Sequence, residues 1–482
     1  MIPLRLAEVA GLVEGVIGGV VGAGDGAVTG PVAVDSRQVA PGGLFAAVVG
    51  ERVDGHDFVE RALAAGAVAS MVTRPVPGPH LLVDDVVAAL GRLARGVVDV
   101  LVPGGLLVVG VTGSSGKTST KDLLAALLAE AGPTVAPEGS FNNEIGVPLT
   151  VLRAGAGTRH LVVEMGARGP GHVAELARMT RPRIGVVLNV GSAHAGEFGS
   201  RESTARAKSE LVQALPDASA GGVAVLNADD PLVAAMAGVT AARVVTFGLA
   251  PGADVRAGEV RLDERGRPSY VLHTPVGAPV PVRLPLHGAH HVGNSLAAAA
   301  VALEVGLSPD SVAEVLARVT APSRWRMEVV ERSDGVTVVN DAYNANPDSV
   351  RAALRALEVI AGGRRSWAVI GEMLELGAAS HAEHEEVGRL VRRSGVHRLV
   401  VVGDGARAVH DGALAEGAVD GEDSVVVADV PAALDLLTAE LRPGDVVLVK
   451  GSRGVGLERV AAGLLLERDA AAVTDAAAGG GA

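Results

Sequence analysis

The chain has 482 residues and a formal net charge of −13, with only 2 Trp, 2 Tyr and 5 Phe. Such a length accommodates about three domains of ordinary size, while the acidic balance and scarce aromatic rings exclude a basic groove or stacking platform for nucleic acid. Cysteine is absent, which excludes disulfides and thiolate metal sites.

The opening segment MIPLRLAEVAGLVEGVIGGVV is apolar, but Arg5, Glu8 and Glu14 interrupt it. A secretory peptide would place basic residues ahead of an unbroken apolar stretch, and a spanning helix needs about 20 apolar residues. The expectation is a soluble cytoplasmic protein without membrane insertion. Across residues 1–84 short β-like runs alternate with helical pattern, as in PVAVDSRQVAPGGLFAAVVG followed by HDFVERALAAGAVA. Residues 85–102 predict a helix leading into a new unit.

Residues 106–120 read LLVVGVTGSSGKTST, an apolar strand running into a Gly/Ser loop that ends in Lys117, Thr118 and Ser119. Such a loop points its backbone N–H groups at a phosphate, with the lysine reaching the terminal phosphates and the hydroxyl holding Mg²⁺. The spacing is a variant: a standard P-loop has four residues between its glycines, whereas Gly110 and Gly116 enclose residues 111–115, and residues 113–117 form a tighter loop. An enzyme or switch driven by a nucleoside triphosphate is expected. Lysine usage sharpens this, because among 42 basic residues only Lys117, Lys121, Lys208 and Lys450 are lysines. Lysines surviving such a bias toward Arg are candidates for chemistry a guanidinium cannot do, such as point-charge phosphate binding or reaction of a neutral amine.

From 106 to about 321 the apolar runs LLVVG, HLVVEMG, RIGVVLNV, GGVAVLN and RVVTFG alternate with helical stretches, which predicts a parallel sheet with helices on both faces over a central unit of 85–322. A second series, GVTVVND, SWAVIGE, RLVVVGD, SVVVAD and DVVLVKG, predicts a doubly wound, Rossmann-like unit over 323–466. The remaining 467–482 is a small-residue tail expected to be disordered.

In open parallel sheets ligands gather beyond the carboxyl ends of strands. Glu164 follows HLVV, and His194 lies just past VVLNVGSA. An acid in Glu164's position can ligate Mg²⁺, although a strand-end surface carboxylate is the plainer alternative. His194 could equally be a capping or core histidine, and Lys208 a solvated helix lysine.

Taken together, VTGSSGKTSTKDLL, FNNEIGVPLTVL at 141–152, VVEMGARGPGHVAEL at 162–176 and VVLNVGSAHAGEFGS with Lys208 closely resemble the central domain of the Mur ligases. These ATP-dependent enzymes build the peptide stem of the cell-wall precursor. DSRQVAPGGLFAAVVGERVDGHDFVERALAAGA resembles the UDP-binding domain shared by the branches that add the third residue and the terminal dipeptide, and NDAYNANPDSVRAAL at 340–354 is similar to the C-terminal motif of the branch that adds the terminal dipeptide. The similarity spans about 30–466.

The resemblance implies that Gly113, Ser114, Ser115, Gly116, Lys117, Thr118 and Ser119 hold the ATP phosphates. It implies Thr118 and Glu164 at a first Mg²⁺, and His194 and Lys208 at a second, with Lys208 carbamylated by CO₂ into an acidic ligand. HGAHHVGNSLAAAA at 287–300 resembles the adenine-side motif, implicating His290 and Asn294; the family usually has Asn where this chain has His291. In SRWRMEV, Arg326 matches an arginine that reaches the nucleotide, and Trp325 replaces a customary Gly. Asp341 would contact the ribose, with Tyr343, Asn344 and Asn346 near the interdomain site, although Asn-Ala-Asn-Pro could also be a turn opening the next helix. Lys450 lies in the late Lys-Gly-Ser-Arg loop, where substrate contact is expected, and Asp35, Ser36 and Arg37 fall at the uridine-nucleotide end, where a plain β-turn is the alternative.

The implied activity is ATP-dependent amide formation between UDP-N-acetylmuramoyl-tripeptide and D-alanyl-D-alanine through an acyl phosphate, by a monomer. Three alternatives stay open on sequence: a sister ligase adding the third stem residue, a nucleotide-operated binding switch, and a folate polyglutamate ligase. Asn344 and Asn346 weigh against the first, which typically has Asp-Tyr-Ala-His-x-Pro there. The absence of an Asn-Lys-x-Asp motif weighs against a guanine switch, and the N-terminal unit weighs against the folate enzyme.

Overall fold

Val, Ile and Leu dominate the apolar runs, and branched side chains favour extended backbone when both faces are covered. In the computed structural model, which describes residues 1–19, 26–50, 53–191, 200–320 and 323–466, those runs form three main sheets. The central one has the order Thr134–Val135, His160–Glu164, Leu107–Thr112, Ile184–Val187, Val223–Asn227, Arg243–Gly248, Val255–Leu262, Pro268–His273, Val280–Arg283. It is parallel from Thr134–Val135 through Val255–Leu262, as expected. The last two strands are antiparallel, an extension that the expected all-parallel sheet lacked. Tyr270 and Leu272 are buried there with less buried residues between them, the period of a half-solvated hairpin rather than of a two-face-buried strand.

Strand Leu107–Thr112 lies between His160–Glu164 and Ile184–Val187, so the chain leaves it toward one side of the sheet and later returns to the other. Its carboxyl end is therefore a topological switch point, where a crevice opens. Successive residues of the strand serve opposite layers. Val108 packs with Leu90, Leu93 and Leu211, and Val109 and Val111 with Leu123, Leu127 and Leu296. Helix Val86–Leu101, the helix expected over 85–102, is capped by the Asp85 side chain and shares one apolar core with Leu6, Val9 and Leu44 of the N-terminal unit.

The N-terminal sheet has the order Val16–Gly18, His80–Leu82, Ala69–Val72, Leu44–Ala46, Val32–Ala33, parallel except at its first strand. The C-terminal sheet runs Glu328–Glu331, Thr337–Asn340, Val446–Lys450, Ser366–Gly371, Arg398–Val402, Ser424–Val427, again parallel except at its first strand. Pairing of Thr337–Asn340 with Val446–Lys450 places Asp341 and Lys450 side by side at one sheet end. Among the described residues, no helix is long and apolar enough to cross a membrane.

Candidate active site

Strand Leu107–Thr112 feeds directly into the Gly/Ser loop and helix Lys117–Ala131. Leu123, Leu124, Leu127 and Leu128 bury against the sheet and fix where that helix begins. Gly116 precedes it with φ 80°, and a Cβ there would stand 2.5 Å from Asn294 Oδ1, so both the left-handed backbone and the close approach require glycine. No side chain caps the first turn, which leaves its N–H groups for an anion. Asn189 holds the loop in shape: its Oδ1 accepts from Ser115 N at 2.9 Å, its Nδ2 donates to Ser115 O at 3.2 Å, and its carbonyl accepts from Ser114 N at 3.1 Å. Lys117 Nζ folds back to donate to Gly113 O at 2.8 Å, and burial lowers its pKa against the pull of Glu164.

Thr118 is the node of the site. Its hydroxyl donates to Glu164 Oε2 at 3.0 Å and accepts from Arg326 Nη2 at 3.1 Å, joining the P-loop helix to a strand end and to a residue 208 positions along the chain. Asn142 Nδ2 donates to Glu164 Oε1 at 2.8 Å, so both carboxylate oxygens are held. Hydroxyl and carboxylate are hard oxygen donors of the kind Mg²⁺ takes while keeping waters and phosphate oxygens. Among the described residues there is no cluster of three His, Asp or Glu side chains that would hold a metal alone.

Lys208 sits on helix Arg201–Gln213 and is 2% exposed. Burial, with a smaller push from the Lys117 charge, brings its pKa down to about 7. A substantial fraction of the amine is therefore neutral near pH 7, which is the form that reacts with CO₂.

The C-terminal unit supplies the facing wall. Arg326 lies 4.3 Å from the Tyr343 ring centroid, and the Tyr343 hydroxyl meets Ser140 Oγ of the central unit. Asp341 accepts from Lys450 Nζ at 2.5 Å and from Met327 N at 3.2 Å, and the same ammonium donates to Asn344 O at 3.0 Å. Asn346 caps helix Pro347–Ala361, its side chain accepting from Ser349 N at 2.9 Å, so the turn alternative describes its oxygen's local task. Burial lowers the pKa of His290 and, more strongly, that of His291.

One cavity of about 730 Å³ collects these groups. It brings together Ser114, Ser115, Gly116, Lys117, Thr118, Ser119, Glu164, Lys208, His290, Asn294, Arg326, Asp341, Tyr343, Asn344, Asn346 and Lys450. It does not include Gly113, whose carbonyl accepts from Lys117 Nζ just behind the loop, nor Asp35, Ser36 or Arg37. The last three follow strand Val32–Ala33 of the N-terminal sheet, where Arg37 Nη2 clasps Asp35 Oδ2 at 2.6 Å and holds its pKa at about 2. His194 lies outside the described residues. Asn142 and Asn189 join the site although neither is among the residues expected there from the sequence. Their signals were an Asn pair in FNNEIG and a polar residue ending an apolar strand in VVLNV.

Family descriptions match all three units: "Mur ligase family, catalytic domain" over 31–96, "Mur ligase middle domain" over 111–302, and "Mur ligase, glutamate ligase domain" over 325–453. A UDP-N-acetylmuramoyl-tripeptide–D-alanyl-D-alanine ligase of Mycobacterium bovis is 51% identical, over 97% of this chain and 98% of that protein. The crystal structure of MurF from Acinetobacter baumannii superposes with a TM-score of 0.83 at 30% identity, covering 96% of this chain and 99% of that one. MurF ligase from Thermotoga maritima in complex with ADP gives 0.76 at 31% identity, covering 92% and 99%. With matches of this extent along all three units, and with a phosphate loop, acid and arginine meeting at Thr118, the chain belongs to the Mur ligase family.

Proposed function

We propose that this chain joins D-alanyl-D-alanine to UDP-N-acetylmuramoyl-tripeptide at the expense of ATP, in peptidoglycan precursor synthesis. Nearly full-length similarity to a ligase of that name supports the substrate pair. The observation that carries the chemistry is the Thr118 hydroxyl held between Glu164 and Arg326 at the mouth of an uncapped helix. Both substrates and the nucleotide are small and water-soluble, and the reaction is assigned to a cytoplasmic monomer.

Amide formation from a carboxylate is uphill in water until the carboxylate oxygen becomes a leaving group. In the proposed sequence a carboxylate oxygen of the tripeptide attacks the γ-phosphorus and ADP departs, giving an acyl phosphate. The amine of D-alanyl-D-alanine then attacks the acyl carbon, loses a proton, and phosphate leaves.

Two anions must meet in the first step, and fixed cations offset that repulsion. Loop N–H groups from Ser114 to Ser119 and the Lys117 ammonium would hold the phosphates. Lys117 swings from Gly113 O to do so. Arg326 approaches from the opposite wall and places a guanidinium where charge develops. Thr118 and Glu164 would hold one Mg²⁺, and Lys208 with His194 a second once Lys208 carries a carbamate; bound there, the ions would neutralise phosphate charge. His290 and Asn294 are assigned to the adenine side, and Asp341 to the ribose. Tyr343, Asn344, Asn346 and Lys450 are assigned to the substrate at the interdomain wall, and Asp35, Ser36 and Arg37 to the uridine end. Enclosure between two units excludes the water that would compete with the amine for the acyl phosphate.

The test is to incubate the protein with ATP, Mg²⁺ and either the UDP-muramoyl dipeptide or tripeptide, offering each amine in turn. ADP released in step with a product whose mass equals tripeptide precursor plus D-alanyl-D-alanine less water supports the reading. A product formed only from the dipeptide precursor and a single amino acid refutes it.

A further inference from the structure

One lysine has no part in that chemistry. Lys121 lies one helical turn beyond Lys117 and is 2% exposed. Its ammonium donates to Asp122 Oδ1 at 2.5 Å, Pro137 O at 3.0 Å and Ser323 Oγ at 3.2 Å. All three donors of the ammonium are used, in diverging directions that a planar guanidinium does not offer. This accounts for a lysine in a chain that otherwise favours arginine.

The three acceptors belong to different segments. Asp122 is on the P-loop helix. Pro137 is in the stretch leading to Asn142, which holds Glu164. Ser323 is three residues before Arg326, which holds Thr118. A second observation points the same way: Asp122, His291 and Arg326 each carry a buried side-chain atom (Oδ2, Nδ1 and Nε) with no protein partner, and all three residues line one cavity of about 10 Å³. That is room for about one water molecule.

We propose that the buried Lys121–Asp122 pair is a positioning strut that sets the register of residues 323–327 against the P-loop helix, and so delivers Arg326 to Thr118. The proposal rests on the reading above for the reaction that Arg326 serves. Lys121 does not line the 730 Å³ cavity; it acts through Arg326.

The experiment is a cycle combining Lys121→Met/Asp122→Asn, which leaves no lone charge buried, with Arg326→Ala. With Arg326 present, the strut variant should lower kcat for ADP release at least about tenfold, because small misplacements of charged groups cost that much. Its Kd for ADP should change less than about threefold if the loop itself is intact. In the Arg326→Ala background the further loss in kcat should be below about twofold, as for residues acting through one another.

Losses that multiply, an unchanged kcat, or a parallel collapse of ADP affinity would overturn the proposal. Ser323→Ala, which removes one neutral partner, serves in the same cycle if the double variant does not fold. Amide hydrogen exchange over 323–327 with ADP bound reads the strut independently of turnover: faster exchange in the variant supports it and equal exchange refutes it. Product formation by the wild type separately tests the reaction.

Discussion

Lys450 and Asp341, 109 positions apart, meet at the carboxyl ends of adjacent parallel strands with Nζ 2.5 Å from Oδ2. The ammonium is nearly inaccessible and its pKa is lowered by burial, against which Asp341 pulls. Breaking such a pair from one side leaves an uncompensated buried charge, typically about 3–5 kcal/mol destabilising, whereas removing both charges costs much less. Lys450→Met should therefore lower the unfolding midpoint of the C-terminal unit in calorimetry, and Lys450→Met/Asp341→Asn should recover most of it. Additive losses would show that the two groups are not energetically coupled.

Thr118 offers a sharper functional prediction. Thr118→Val keeps the shape but removes the hydroxyl, leaving Glu164 and Arg326 without their shared partner. A drop of about 10²-fold in kcat is expected, with Thr118→Ser within about threefold of wild type, the scale of a lost group that stabilises developing charge. Steady-state ADP release with all substrates present checks both. Equal rates for Val and Ser would remove the hydroxyl from the mechanism.

Of this cluster, Lys117 and Thr118 were legible from the strand-to-loop chemistry and Glu164 from its strand end, whereas the roles of mid-helix Lys208 and of Arg326 came from the family resemblance. Lys117, Thr118, Glu164, Lys208 and Arg326 all line the same cavity. What stayed hidden depends on long-range pairing. Nothing local to DVVLVKG says that the Lys450 ammonium is committed to Asp341 and Asn344 O. Likewise Asn142 and Asn189 show their use only once the sheet brings Glu164 and Ser115 beside them. The antiparallel strands Pro268–His273 and Val280–Arg283 escaped for a different reason: their alternation is weaker than the unbroken Val runs of the parallel strands.

Lys208 links pH to both stability and activity. Its pKa is about 7 in the folded chain, against an ordinary value of 10.5. A depressed lysine pKa means the folded state binds fewer protons than the unfolded state between those values. Stability from this group therefore rises with pH through that window, and the burial penalty is fully present below pH 7. In CO₂-free buffer, Lys208→Met should melt higher than wild type at pH 6, by about 2–4 °C for each kcal/mol relieved, with the gap narrowing toward pH 10. Activity should move oppositely: the Met variant is expected to lose at least about 10²-fold in kcat. Wild-type turnover should respond to added bicarbonate more strongly at pH 8 than at pH 6, since only the neutral amine takes up CO₂. A Met variant that keeps wild-type turnover would dispose of the carbamate.

Trp325 occupies φ 59°, a left-handed conformation that most side chains avoid and that a glycine adopts without cost. Tryptophan is held there by its neighbours: Arg453 stands 4.1 Å from its ring centroid, and the Tyr343 ring stacks 6.4 Å away at 30°. Two terms of opposite sign thus meet at one residue, about 1 kcal/mol of backbone strain and about 1–2 kcal/mol from a cation over a partly desolvated ring with its stacked partner. Trp325→Gly loses the stack and relieves the strain, and should lie within about 1 kcal/mol of wild type in stability. Trp325→Ala loses the stack and retains the strain, so it should fall about 1 kcal/mol below the Gly variant, reversing the usual order of Ala over Gly. Thermal unfolding of the three proteins decides. If Ala proves as stable as Gly, position 325 relaxes out of the left-handed region when its ring is removed, and the aromatic stack rather than the chain direction sets the turn before Arg326.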